Sequence, residues 1–252
     1  ESMIDEWARY KKIFFILAMG RSGTKFLATL LNEAPDSYVV HEPVREDFPA
    51  YVDAFYNPQK AKWYIKKFRK KEIYLRAQNF SFSTYGEVNG VLRRHLLALK
   101  EAFPHAQFFH LIRDGRDVVR SLMSRHTMTS HDPVTSKIHP LPDDPWYDKW
   151  QIIDRFEKIC WYWQVENKFL REHIPKRIHF EKILEDYDYF KENLLSPLGF
   201  DIPIEIWEKY TQKKINPSSK YALPHWKEWD KELLEKFYRI CGEEMIKNGY
   251  QI

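Results

Sequence analysis

The sequence predicts an α/β fold of three layers, with a central parallel sheet of about four to five strands and helices on both faces. Three observations carry this. "FFILAMGRSGTKFLATLL" (14–31) runs as a continuous apolar stretch, breaks at Gly20 into small and basic residues, and resumes with helical spacing at Phe26, Leu27, Leu30 and Leu31. It therefore reads as strand, tight turn, helix. "AQFFHLIRDGRDVVRSLMSRH" (106–126) repeats the pattern. Strand-like and helix-like segments then alternate to the end of the chain, as a parallel sheet requires.

Taken in order, "KIFFILA" (12–18) is the first strand and "SYVVHE" (37–42) a second. Residues 47–70, rich in aromatics and lysine, form a helical insertion. "EIYLRA" (72–77) fits either strand or helix. "VLRRHLLALKEAF" (91–103) is an amphipathic helix stopped by Pro104. "AQFFHLIR" (106–113) is a strand and "DVVRSLMSRH" (117–126) a helix. Residues 127–149 hold four prolines and show no period, so they form a long loop suited to a substrate wall. A long helix (154–173), a strand "KRIHFE" (176–181) and a last helix (230–249) follow. One domain is expected over 1–252, with the insertion and the long loop on the substrate side.

Composition narrows the function. With 44% hydrophobic and 30% charged residues the chain should fold and stay soluble. A net charge of +4 and a pI near 8.8 are too modest to call for nucleic acid, but suit an anionic ligand. Two cysteines, Cys160 and Cys241, make no disulfide framework, which favours a reducing, cytoplasmic setting. No apolar stretch approaches the ~20 residues of a membrane span, and no signal peptide is visible. The opening "ESM" reads as a cloning remnant ahead of Met3. The sequence contains no metal-ligand cluster, so no metal is expected.

In "GRSGTK" (20–25), Gly20 and Gly23 permit unusual backbone torsions, Ser22 and Thr24 offer hydroxyls, and Arg21 and Lys25 bring positive charge. At a helix N-terminus this is a phosphate cradle. It is not a Walker A loop: Thr24 separates Gly23 from Lys25, and Phe26 stands where the magnesium-binding hydroxyl belongs. The second constellation places Arg113 at a strand end, Asp114 as a helix cap, and Ser121 on that helix. An Arg fork and a hydroxyl can grip one phosphate from two sides. Both constellations fall at the carboxyl edge of the sheet, where such folds bind ligands. One ligand with two separated anionic groups fits them.

"GRSGTKFL" (20–27) resembles the 5′-phosphosulfate loop of the sulfotransferases that use 3′-phosphoadenosine 5′-phosphosulfate (PAPS), and "RDGRDVVRSL" (113–122) their 3′-phosphate motif. "RIHFEKIL" (177–184) and residues 225–250 are similar to their last core strand and C-terminal helix. The resemblance implies a P-loop-NTPase-like sulfotransferase fold. It also implies that Arg21, Ser22, Gly23, Thr24 and Lys25 hold the 5′-phosphosulfate, with Arg21 and Lys25 stabilising the leaving group. Arg113 and Ser121 would hold the 3′-phosphate, Phe26 and Phe180 lie by the adenine, and Lys220 closes over the 3′-phosphate. The product nucleotide would be adenosine 3′,5′-bisphosphate (PAP). Cytosolic relatives use a His after a Lys-Thr pair; the matching stretch "GEVNGV" (86–91) has neither Lys nor His. Carbohydrate and tyrosylprotein types place a Glu after the second strand, and "VVHEPV" (39–44) puts Glu42 there as the expected base. His41, Glu87 and His95 are rivals. The family analogy favours a saccharide or small metabolite as acceptor. A P-loop-type small-molecule kinase, or a catalytically degenerate nucleotide-binding homologue, is the alternative.

Overall fold

The computed structural model describes residues 3–78, 82–212 and 221–252. After a short N-terminal helix α1 (Met3–Tyr10) comes β1 (Lys12–Ala18), buried at every position but the first. Its alternate residues divide between the two faces of the sheet, as a pleated strand dictates. Phe14, Ile16 and Ala18 pack on one side with α2 (Thr24–Leu31), while Ile13, Phe15 and Leu17 pack on the other. β2 (Ser37–His41) follows, and then three helices: α3 (Asp47–Tyr56), α4 (Pro58–Tyr64) and α5 (Lys70–Gln78). A π-helical turn, Ile65–Arg69, joins the last two. The segment that fitted strand or helix is thus helical, within α5.

β3 (Thr84–Asn89) pairs with both β2 and β1 and is buried throughout. The sequence reading assigned no strand here, because Gly86, Glu87 and Asn89 interrupt any apolar run. Gly86 makes room for a ring: a Cβ there would come within 2.0 Å of Phe14, its neighbour on β1. The predicted helix after it begins as a 3₁₀ turn, Val91–His95, and becomes α6 (Leu96–Ala102). β4 (Gln107–Ile112) leads to α7 (Gly115–Met123), which starts earlier than expected because Asp114 accepts the Arg116 N–H at 2.9 Å. The stretch 127–149 contains only turns and one 3₁₀ turn, Thr135–Lys137. α8 (Arg155–His173) opens on a capping box of Asp154 and Glu157. The predicted strand 176–181 is cut to three residues, β5 (Arg177–His179), and Phe180 begins helix α9 (Phe180–Glu185). The last helix spans Lys231–Lys247.

The five strands are all parallel, in the order β2-β3-β1-β4-β5. Their carboxyl ends therefore share one edge. From β1 the chain crosses to β2 on one side; from β4 it crosses to β5 on the other. The crevice between the ends of β1 and β4 is the switch point where open α/β sheets bind ligands.

Two buried ionic networks flank the end of β3. Arg69, fully buried, lies 2.9 Å from Asp47 and 2.5 Å from Glu87, and Tyr85 donates to Glu87 at 2.7 Å. This ties the helical insertion to the sheet. Glu166 of α8 accepts from Tyr51 and Arg94 at 3.0 and 2.9 Å and also binds Arg93. Cys160 and Cys241 are free and buried, the Cys241 Sγ lying 3.3 Å from the Cys160 carbonyl.

Stability should fall on acidification. Burial drives the pKa of His95 and of His110 down to about 3. The unfolded chain takes up both protons near pH ~6.5 while the folded chain does not. Asp47 opposes them: burial, only partly offset by Arg69, pushes its carboxyl up to about 6. Its contribution is complete below its unfolded value of 3.8 and is lost as pH rises through about 6. Burial also lowers the pKa of His41 and His179 and raises that of Asp117 and Glu181; four histidines against three carboxyls leave a net loss of stability between pH ~6 and ~4. Urea midpoints at pH 7, 5.5 and 4.5 check this; a midpoint that holds or rises would contradict it.

Candidate active site

Two strand ends converge on one helix. Arg21, just past β1, is held in the left-handed region at φ 71°, and its Nε donates to Ser121 Oγ on α7 at 3.0 Å. Arg113, just past β4, donates to the Arg21 carbonyl at 3.1 Å. Three residues read from two separate motifs thus meet at the switch point. Asp117 of α7 lies 3.9 Å from Arg113. The Arg21 pKa is lowered by burial, and then by the nearby cations Arg125 and Arg113. Like charges held together in this way are relieved by an anion.

Arg125 was missed by sequence reasoning. Its signal was present: it stands four residues beyond Ser121, in the turn that follows α7.

Gly23 bounds α2 at φ 89°, with no side chain capping the helix. By contrast Asp114, Asp154 and Asp230 each cap a later helix. The first N–H groups of a helix lack partners within it, so α2 offers its open end to the same crevice. No atom lies within 4 Å of where a Cβ on Gly20 would stand, which leaves room for a group beside the loop. Ser22 and Thr24 are buried, and Lys25 is exposed on the first turn of α2. Lys25 acts on His41, whose pKa is lowered first by burial and then by this lysine, with Glu42 pulling it up. Thr24 Oγ1 and His41 Nε2 are 2.9 Å apart, so the loop is tied to the end of β2.

The ring of Phe180 is 3% exposed and packs beneath Gly23. It supports the loop from below and has no open face for stacking. Phe26 is half-buried, edge-on to Phe180 at 5.9 Å. Lys220 lies outside the described residues.

Glu42 stands directly after β2 at φ 43°, a second strained residue at a strand end. Its Oε1 accepts the Gly90 N–H at 3.1 Å. Gly90 in turn is held by Arg93, which donates to its carbonyl. A cavity of about 220 Å³ opens against Glu42 and Gly20, lined also by Phe48, Val91 and Leu122. It abuts the cationic crevice through two peptide steps, Gly20–Arg21 and Ser121–Leu122. Glu42 and Asp132 are the carboxylates that line this cavity, and Asp132 is engaged by Thr135 and Val134. The rivals fare differently. Glu87 is 0% exposed inside the Arg69 network, and His95 is buried against Tyr64. Neither faces the cavity. His41 is half-buried and committed to Thr24. Among the described residues no group of three or more His, Cys, Asp or Glu is arranged to hold a metal ion, and no helix is long and apolar enough to cross a membrane.

Comparison with known proteins decides the lineage. The profile of the sulfotransferase family matches residues 14–203, which include β2 to β5 and all but the first two residues of β1. The chain belongs to the sulfotransferase family. Solved structures agree in fold. The chain is similar to sulfotransferase STF9 from Mycobacterium avium at 11% identity and a TM-score of 0.55, covering 98% of this chain and 79% of that one. It is also similar to the sulfotransferase domain from the curacin biosynthetic pathway at 14% identity and a TM-score of 0.53, covering 97% and 99%. No curated protein sequence matches it significantly.

The loop of this sulfotransferase depends on Gly23. A Cβ there would lie 2.1 Å from the Phe180 ring, in a backbone conformation L-residues resist. Gly23→Ala should lower the Tm by about 4 °C or more, given ~2–4 °C per kcal/mol at this chain size. An unchanged Tm would mean that Phe180 does not fix the loop.

Proposed function

We propose that the chain is a PAPS-dependent sulfotransferase that modifies the hydroxyl of a small-molecule acceptor, with Glu42 as general base. One observation carries the reading: Arg21, Arg113 and Ser121 meet at the switch point beside a cavity that contains Glu42. The residues fit the donor. Two guanidiniums meet Ser121 there, a third, Arg125, is near enough to act on Arg21, an uncapped helix end follows the loop, and Gly20 leaves space beside it. Arg21, Ser22, Gly23, Thr24 and Lys25 would hold the 5′-phosphosulfate. Arg113 and Ser121, with Arg125 added, would hold the 3′-phosphate. Phe26 is the aromatic placed for the adenine.

When bound, the donor supplies its sulfuryl group to the acceptor oxygen and leaves as PAP, its bridging oxygen keeping the electron pair of the broken S–O bond. Glu42 takes the proton of the acceptor hydroxyl and returns it to solvent. Arg21 and the α2 N-terminus stabilise the negative charge that accumulates as the bond breaks. Gly90 and Arg93 hold Glu42 in place. The leaving group is already good, and this scheme needs no metal. Two free, buried thiols are in keeping with a cytoplasmic protein.

Thermal-shift titration tests the donor. PAP should raise the Tm more than ADP or magnesium-ATP does; preference for magnesium-ATP would overturn the reading in favour of a kinase. Glu42→Gln tests the base. It should lower kcat by ~10²–10⁴-fold while leaving PAP affinity intact. Unchanged turnover would remove Glu42 from the role.

A further inference from the structure

The cavity at Glu42 is the inner end of a longer cleft. Phe48, Asp132 and Val134 line it, and they also line an outer hollow of about 850 Å³ between α3 and the loop 127–149. The outer hollow adds Pro49, Val52 and Pro133, with Arg45 and Lys137 among its charged residues. The helical insertion and the long loop are thus the two walls of one passage that ends at Glu42.

Polar side chains do occur along the inner cavity, but most of their hydrogen-bonding capacity is taken up within the protein. Tyr51 donates to Glu166 at 3.0 Å. Arg93 is shared among Glu166, the Gly90 carbonyl and Tyr162. Thr135 Oγ1 donates to Asp132 at 2.6 Å and accepts the Met128 N–H at 2.8 Å. The other oxygen of Asp132 accepts the N–H groups of Val134 and Thr135 at 2.9 and 3.0 Å. What remains to meet a ligand is the second oxygen of Glu42, the Thr127 hydroxyl, the Tyr162 hydroxyl as a donor and one further lone pair on Asp132. The rest of the inner wall is apolar: Met19, Phe48, Val91, Leu122 and Val134. A sugar ring carries several hydroxyls, each both donor and acceptor, and the few partners left on a mainly apolar wall cannot replace all the water they would lose. A single hydroxyl on an apolar body loses nothing of the kind, and its body gains from burial.

We propose that the acceptor is an alcohol with an apolar body, entering hydroxyl first between α3 and the loop 127–149, rather than a saccharide. This rests on the reading of the chain as a sulfotransferase. The body lies along Phe48, Val134 and Val52, and its one hydroxyl reaches Glu42.

The test titrates the full chain by calorimetry with octan-1-ol and with glucose, each with and without PAP, and compares their turnover with PAPS. Octan-1-ol should bind at least ~10-fold more tightly than glucose, with a negative heat-capacity change, and should be the better substrate. Val134→Asn should weaken octanol at least ~10-fold while PAP affinity stays within twofold, which shows that the fold is intact. Glucose binding as well as octanol, or octanol failing to bind, would overturn the apolar class. Absence of PAP binding would instead overturn the donor reading; the titrations without nucleotide still decide the acceptor class.

Discussion

The site is organised by the gathering of cations at one sheet edge, with Asp117 3.9 Å from Arg113 as their acidic neighbour. Arg21, Arg113 and Arg125 are held close enough for the last two to depress the pKa of the first. Nothing in local sequence preference would bring them together. The sheet does it: parallel strands place the residues after β1 and β4 side by side, and α7 adds Ser121 from behind. Such a crevice is a poor place for bare protein and a good one for a polyanion. The hydrophobic faces of β1 and the clamps behind the loops oppose the repulsion. Phe180 braces Gly23. Asp114, which begins α7, is fixed by Glu181 through its backbone N–H at 2.7 Å, and Tyr250 holds Glu181 at 3.0 Å. The anchoring thus extends to the last residues of the chain.

Most of the site was legible because it lies in two short motifs, each beside an apolar strand. Spacing placed Arg21, Arg113 and Ser121 at one edge, whereas Glu42 was expected as the base only from the resemblance to carbohydrate and tyrosylprotein sulfotransferases. What escaped notice has a common cause. β3 is the most buried strand next to β1, yet it carries Gly86, Glu87 and Asn89. Its burial is offset by charge pairing and ring packing from residues far away in the chain, which no local pattern displays. Phe180 was placed in a strand because "RIHFE" alternates, but the strand stops at His179 and the ring turns under the loop.

The departure at "GEVN" now has a structural account. Where cytosolic relatives are expected to carry a catalytic His near this strand end, the chain uses the end of β3 as an anchoring point. Glu87 secures the insertion through Arg69, and Asn89 accepts the Val91 and Leu92 N–H groups at 2.8 and 3.0 Å to start the next turn. The π-helical turn belongs to the same arrangement, because it sets the rotation at which Arg69 reaches inward. Removing one residue from that turn would swing Arg69 by roughly a quarter of a circle and leave two buried carboxylates without their shared cation.

Glu42 sits in a backbone conformation that suits glycine. A left-handed non-glycine residue costs about 1–2 kcal/mol. Evolution toward stability alone would therefore drift away from glutamate at this position. Under the role proposed for it, keeping Glu42 trades part of the fold's stability margin for chemistry. Variants selected only for heat resistance would be expected to gather substitutions here and to lose turnover as they gain robustness.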